Sequence, residues 1–243
     1  MRKINVIAMA GSGQRFLDQN YITPKPLIII KRKPMFYYAA KSLPLSKKII
    51  FICKKQLSFI HKLKFFIKKF FKSTKIIEIK KKTNGQATTC KLASKYLRND
   101  DIVTYGSCDY FYKFNRKQFN QLINSNDLIV FVHKPMKTNI INFKDYGWVK
   151  KGKKNAIQKI QCKNKVSKNP KNDLVITGTF TFKNKKIFHH SYKNMVKEID
   201  KINNEYYMDT VAKHAILLKY KVKYILVKNF KSYGTPSELK KND

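Results

Sequence analysis

Apolar positions along this 243-residue chain fall into short runs that alternate with stripes of helical spacing. Ile4-Asn5-Val6-Ile7-Ala8-Met9 predicts a strand over about 4–10. An extended piece over Leu27–Ile30 precedes a predicted helix at about 34–43 and a strand at Ile49–Cys53. Within Gln56–Phe71, Leu57, Ile60, Leu63 and Ile67 recur at spacings of three and four, one face of a helix. Ile76–Ile79 is the next strand, Ala87–Leu97 a helix, and Asp101–Tyr105 a strand ending at Gly106. A helix over Phe114–Asn124 and a buried strand at Leu128–Val132 complete a β-α-β-α order. That order predicts an α/β, Rossmann-like fold: a mostly parallel sheet with helices on both faces. The pattern changes after Val132. Residues 134–173 mix short strands with connections rich in Lys and Asn, and Asp173–Phe182 is an apolar strand with Gly178 inside it. A helix over about 208–219, a strand at Val222–Val227 and a short helix after the Gly234-Thr235-Pro236 turn follow. The whole reads as one domain, 1–243, with a first half to residue 132 and a smaller second portion from 133.

Composition adds one conspicuous feature, a net charge of +39 from 53 basic and 14 acidic residues. The lysines are spread over the whole chain, beside many Asn, Ile, Phe and Tyr residues that share AT-rich codons. Codon bias therefore accounts for the charge, and no specific nucleic-acid partner is expected, although a positive surface draws in phosphates. The 56–71 stretch is basic and amphipathic, a pattern also found on membrane surfaces; a helix packed on the sheet with its lysines in water is the preferred reading. Cys53, Cys90, Cys108 and Cys162 form no CxxC pair, which argues against zinc and against a disulfide scaffold. No apolar run approaches the roughly 20 residues of a membrane-spanning helix, so a cytoplasmic protein without membrane insertion is expected. The adjacent pair His189-His190 diverges on either a helix or a strand and makes no joint metal site.

The candidate chemistry lies at strand ends. The first strand breaks into Ala10-Gly11-Ser12-Gly13-Gln14-Arg15-Phe16, followed by Pro24-Lys25-Pro26-Leu27. Glycines after a strand let backbone N–H groups approach phosphate oxygens, and Arg15 and Lys25 can add positive charge. No Lys-Ser or Lys-Thr follows at Walker spacing, and Phe16 stands where a dinucleotide fingerprint requires its third glycine. Asn84-Gly85-Gln86 opens a predicted helix and could simply cap it. Gly106-Ser107-Cys108-Asp109 follows the fourth strand. A carboxylate placed there, beside a phosphate loop, suits Mg²⁺, which takes one or two carboxylates plus phosphates and water.

The Gly11-x-Gly13-x-Arg15-Phe16 turn with Pro24-Lys25-Pro26-Leu27 resembles the signature of the sugar nucleotidyltransferases, or NDP-sugar pyrophosphorylases. Further motifs follow in that family's order from Ile4 to about Leu239. Tyr146-Gly147-Trp148-Val149 is similar to its Y-G-x-V strand, Thr177-Gly178-Thr179-Phe180 to its G-x-[FY] strand, and Glu205–Asp209 with Tyr233–Pro236 to its closing elements. The resemblance implies joining of an NTP to a sugar 1-phosphate, or a similar phosphorylated metabolite, with release of pyrophosphate, and a place in surface-polysaccharide biosynthesis. It implies catalytic roles for Arg15, Lys25 and Lys163, and nucleotide contacts from Ala10, Gly11, Ser12, Gly13, Gly85 and Gln86. Substrate contacts are expected from Tyr146, Gly147, Lys163, Gly178, Thr179 and Glu205, and Mg²⁺ contacts from Asp109. Three departures stand out. Gln14 stands where many members carry Thr or Ser, Cys162 replaces a sugar-binding glutamate, and Ser232 occupies the position of a second metal-binding aspartate; there either Asp209 or Glu205 takes over, or a single carboxylate and the substrates hold the metal. A homo-oligomer is compatible with the pattern. Three alternatives remain open. One is a GT-A-type glycosyltransferase, although no D-x-D is present and Asn99-Asp100-Asp101 precedes a strand. The others are a basic nucleic-acid-binding module and a degenerate nucleotide-binding protein.

Overall fold

Alternating side chains of the first strands feed two separate cores, which sets the layering of the molecule. The computed structural model describes residues 1–55 and 57–243, without the side chains of Leu57 and Ser58. In chain order the elements are β1 (Lys3–Met9), α1 (Gln14–Leu17), β2 (Ile29–Ile30), β3 (Lys33–Pro34), α2 (Met35–Ser42), β4 (Lys48–Lys54), α3 (Leu57–Phe70) and β5 (Thr74–Ile79). There follow α4 (Gln86–Lys91), β6 (Ile102–Ser107), β7 (Tyr110–Lys113), α5 (Arg116–Ser125), β8 (Leu128–His133), α6 (Lys137–Ile141), β9 (Gly147–Lys151) and β10 (Ile157–Cys162). The chain closes with β11 (Leu174–Phe182), α7 (Lys185–Lys197), α8 (Met208–Leu217), β12 (Val222–Leu226), β13 (Lys228–Ser232) and α9 (Pro236–Asn242).

Nine strands of the described residues form a mixed sheet running β10-β9-β11-β6-β1-β4-β5, with β8 on the other edge of β11 and β12 beyond it. The centre, β6-β1-β4-β5, is parallel, as the crossover order predicts. It becomes antiparallel where β11 pairs with β6 and β8. Successive residues of a strand point to opposite faces. Ile4 and Val6 therefore join one core with α4, α7 and α8, while Ile7 and Met9 join another with α2 and α3. The stripe Ile60, Leu63 and Ile67 packs into this second core, as the helix-on-sheet reading expects. Gln56, the expected start of that helix, lies outside the described residues. A third cluster seats Phe119 and Ile123 of α5 on Ile129 and Phe131 of β8.

Several elements differ from the sequence expectation. The helix expected over Ala87–Leu97 is α-helical only to Lys91 and tightens into a 3-10 turn over Leu92–Tyr96. Helix α7, which has no counterpart among the elements predicted from the sequence, buries Ile187, Phe188, Ser191, Tyr192 and Met195. Its stripe is broken by the polar Ser191 and flanked by lysines, which hides the periodicity. β7 and β13 form a two-stranded sheet of their own. All four cysteines are free and buried. Among the described residues no helix is long and apolar enough to cross a membrane.

Candidate active site

The carboxyl ends of parallel strands are where open α/β sheets bind ligands. Here the ends of β1 and β6 open onto a cleft of about 260 Å³. Its lining includes Ala10, Gly11, Gly13, Lys25, Gly85, Gln86, Asp109 and Glu205. Ser12 and Arg15 line a contiguous opening that shares Gly11, Gly13, Lys25 and Glu205. The glycine turn, Lys25, Gly85-Gln86 and Asp109 therefore meet in one place, as the strand-end argument requires.

Lys25 and Asp109 form the centre. The Lys25 ammonium donates to the Asp109 carboxylate, and at 3.1 Å to the Gly234 carbonyl. Ser107 donates to the other Asp109 oxygen at 2.6 Å. The two side chains keep only 18% and 13% of their exposure. Burial pulls the Lys25 pKa down, but the Asp109 charge overrides it and the net shift is upward. Burial likewise pushes Asp109 up, and Lys25 with the Ser107 hydroxyl brings it below the ordinary carboxylate range.

The opposite wall is tied together by backbone. Tyr206 N–H donates to Asn84 O at 2.9 Å and Ala87 N–H donates to Tyr206 O at 3.0 Å. This fastens the Gly85 loop to the segment carrying Glu205 and Tyr207. Glu205 pairs with Lys82 at 3.0 Å and accepts from Tyr207 OH at 3.0 Å. Burial raises its pKa, yet Lys82 and Tyr207 bring the net shift below normal. Sequence reasoning misses Lys82, Thr83, Ser107 and Tyr207 as site residues. Lys82 ends the Lys80-Lys81-Lys82 run next to the Gly85 loop, which is the signal that could have marked it.

The expected substrate residues divide into groups. Lys163 follows β10 in a left-handed conformation (φ 54°), and its ammonium stands 4.9 Å from the ring centroid of Tyr207. Tyr146 OH donates to Glu238 Oε1 at 3.2 Å. Gly147 lies directly against the Asp209 carboxylate, and Gly178 (φ 81°) against the Tyr110 ring. Thr179 departs from expectation: it is buried and its hydroxyl accepts from Tyr112 OH at 2.9 Å. β11 shifts register between Ile176 and Phe180, around the left-handed Gly178, and seats Thr179 under Tyr112. Arg15 is 57% exposed and pairs with Asp145 at 3.0 Å, a surface contact of little energetic weight that a ligand can displace.

Asp209 sits beside Cys162 and Lys163. Burial raises its pKa to about 6, with Cys162 and Lys163 acting in the opposite direction. A carboxyl whose folded pKa lies above its unfolded value contributes its full stability only below the unfolded pKa, and loses it as pH rises through the folded one. Asp209→Asn is therefore expected to raise the urea midpoint at pH 8. The gain should shrink as pH falls through 6 toward 4, as urea titrations across that range would record.

The donor set at Asp109 fits a hard cation. The Asp109 carboxylate and the Gly234 carbonyl already hold one, the Lys25 ammonium. Among the described residues no three His, Cys, Asp or Glu side chains converge to hold a metal by themselves. A magnesium ion held there would need phosphate oxygens and water to complete its shell.

A mixed α/β sheet, a glycine cradle after β1, and a lysine–aspartate pair at the strand ends define a nucleotide-handling enzyme fold. The chain matches the Nucleotidyl transferase family over residues 4–224 and belongs to it. No curated protein sequence matches the chain. Among solved structures, it superposes on a nucleoside-diphosphate-sugar pyrophosphorylase from Vibrio cholerae RC9 with a TM-score of 0.82 at 20% identity, covering 98% of both chains. A putative glucose-1-phosphate thymidylyltransferase from Bacillus anthracis gives 0.77 at 19% identity, covering 99% of this chain and 93% of that one. The inositol-1-phosphate CTP transferase from T. maritima gives 0.74 at 15%, covering 98% and 91%. The fold is that of the NDP-sugar pyrophosphorylases.

Proposed function

We propose that the protein joins an NTP to a sugar 1-phosphate, or to a similar phosphorylated metabolite, releasing pyrophosphate. The observation that carries this reading is the Lys25–Asp109 pair lying next to the glycine turn and facing the Gly85 loop. The substrate phosphate oxygen attacks the α-phosphorus of the NTP, a new P–O bond forms there, and the bond to pyrophosphate breaks. Such a transfer needs no covalent intermediate; positioning and charge neutralisation suffice.

In this scheme the Gly11–Gly13 backbone and the Gly85-Gln86 loop hold the nucleotide. Lys25 leaves Asp109 for the phosphates, and Arg15 leaves Asp145 to join it. Lys163 orients the incoming phosphate, near Tyr146, Gly147 and Glu205. Asp109, released from Lys25, would hold a Mg²⁺ ion. The metal would supply charge neutralisation on the phosphate oxygens during transfer. A role in surface-polysaccharide synthesis belongs to the same proposal.

Pyrophosphate release over a grid of four NTPs and a panel of sugar 1-phosphates and other phosphorylated metabolites, with Mg²⁺, tests the reading. Release with one pair fixes the reaction, the base and the partner. Silence throughout, together with no NTP-induced thermal shift, overturns it.

A further inference from the structure

Position 232, where the family resemblance leads one to expect a second metal-binding aspartate, carries serine, and the structure brings another carboxylate to the same place. Gly234 lies between β13 and α9. The space at its Cα is bordered by three side-chain oxygens. A Cβ built there would lie 3.1 Å from Glu238 Oε2, 3.4 Å from Ser232 Oγ and 3.6 Å from Asp109 Oδ2. Glu238 comes from the first turn of α9, whose N-terminus Thr235 caps by accepting from Glu238 N–H at 3.2 Å. Its carboxylate is fixed by neutral hydroxyls only: Tyr146 OH donates to Oε1 at 3.2 Å and Thr235 Oγ1 to Oε2 at 3.2 Å. Among the described residues no cation pairs with it, in a chain with 53 basic and 14 acidic residues. Asp109 and the Gly234 carbonyl, by contrast, already share one positive charge, the Lys25 ammonium.

We infer that Glu238 supplies the second carboxylate of the cation site centred on Asp109, in place of the residue missing at 232. The inference rests on the nucleotidyltransferase reading, because that reading is what moves Lys25 off Asp109 and brings in a divalent cation. Two carboxylates with hydroxyl and carbonyl oxygens beside them form a hard-oxygen set of the kind Mg²⁺ accepts, with phosphates and water completing the shell. Asp209 and Glu205, the substitutes expected from the sequence, have other partners: Asp209 faces Gly147 beside Cys162 and Lys163, and Glu205 pairs with Lys82.

The probe is Tb³⁺, a hard trivalent ion whose emission is sensitised by neighbouring tyrosines, here Tyr110 and Tyr146. Titration of the protein carrying Lys25→Met, which frees Asp109 of the ammonium as the nucleotide would, should give a saturable sensitised signal, and the variants below are made in that background. Glu238→Gln, which keeps an acceptor for Tyr146, should weaken Tb³⁺ by at least about tenfold, since loss of a group that merely orients a metal ligand already costs that much. Asp209→Asn and Glu205→Gln should leave the titration unchanged. Adding Ser232→Asp to Glu238→Gln should restore tight binding, because residue 232 borders the same space. Unaltered Tb³⁺ binding in Glu238→Gln overturns the inference, as does a loss confined to Asp209→Asn or a Lys25→Met background with no saturable site. Pyrophosphate release by the wild type separates the two failures: release with an insensitive Glu238→Gln titration sinks this inference alone, whereas no release with any NTP, together with no NTP-induced thermal shift, sinks the underlying reading.

Discussion

Lys25→Ala is expected to lower turnover by about 10³-fold, the scale seen when a single preorganised charge-stabilising group is removed. The same substitution should also cost about 3 kcal/mol of stability, because cutting one partner from a largely buried ion pair strands the other charge. The two losses have different origins and separate experimentally. A Lys25→Met/Asp109→Asn double variant removes both charges, so it should recover most of the stability in urea denaturation. It should recover none of the turnover, since the proposed phosphate and metal ligands are both gone. Acid should imitate the single loss. Asp109 is held below its ordinary pKa in the folded protein, so its contribution is present above the unfolded value and fades as pH falls through the folded one. Near-normal pyrophosphate release by Lys25→Ala would remove Lys25 from the catalytic role. A double variant no more stable than either single one would refute the stranded-charge account of the stability loss.

That pair also shows what the sequence makes legible. Gly11-x-Gly13 and Asp109 each follow a strand that announces itself by apolar runs, and parallel strands deliver their carboxyl ends to one edge; Lys25 reaches them from the 3-10 turn over Lys25–Leu27. Their convergence is therefore readable from the chain alone. Thr179 is misplaced when the motif alone is trusted, because β11 shifts register between Ile176 and Phe180 around Gly178 and buries Thr179 under Tyr112. Glu238 is unreadable for another reason. It lies in the last short helix, far along the chain from Asp109, and only the packing of α9 and β13 against the β6–β7 turn brings the two to Gly234. Asp209 and Glu205 look better on spacing alone, but spacing carries no information about which carboxylate a tertiary contact admits. Helix α7 escapes because lysines on both flanks and Ser191 in its apolar stripe mask a period that burial makes plain.

Gly85→Ala is expected to be severely damaging, and Gly11→Ala is not expected to harm the fold at all. Gly85 adopts φ +100°, a conformation that L side chains rarely take, and a Cβ there would meet Tyr206 O at 2.5 Å and Tyr206 N at 2.6 Å. Both contacts are backbone, on the segment that the Asn84 and Ala87 hydrogen bonds hold in place. No flexible side chain can move aside. The alanine must push Glu205–Tyr207 away from the loop and open the wall of the cleft. Overpacking and backbone strain together put the stability loss at about 3 kcal/mol, and NTP binding should go with it. At Gly11 an added Cβ meets nothing within 4 Å, because the space beside it is the cleft itself. Gly11→Ala should therefore unfold at the wild-type urea midpoint while its NTP-induced thermal shift disappears, the methyl group standing where phosphate oxygens approach the backbone. If Gly11→Ala kept the full nucleotide shift, the phosphates would not lie against this turn, and the glycines after β1 would be serving the chain reversal into α1 alone.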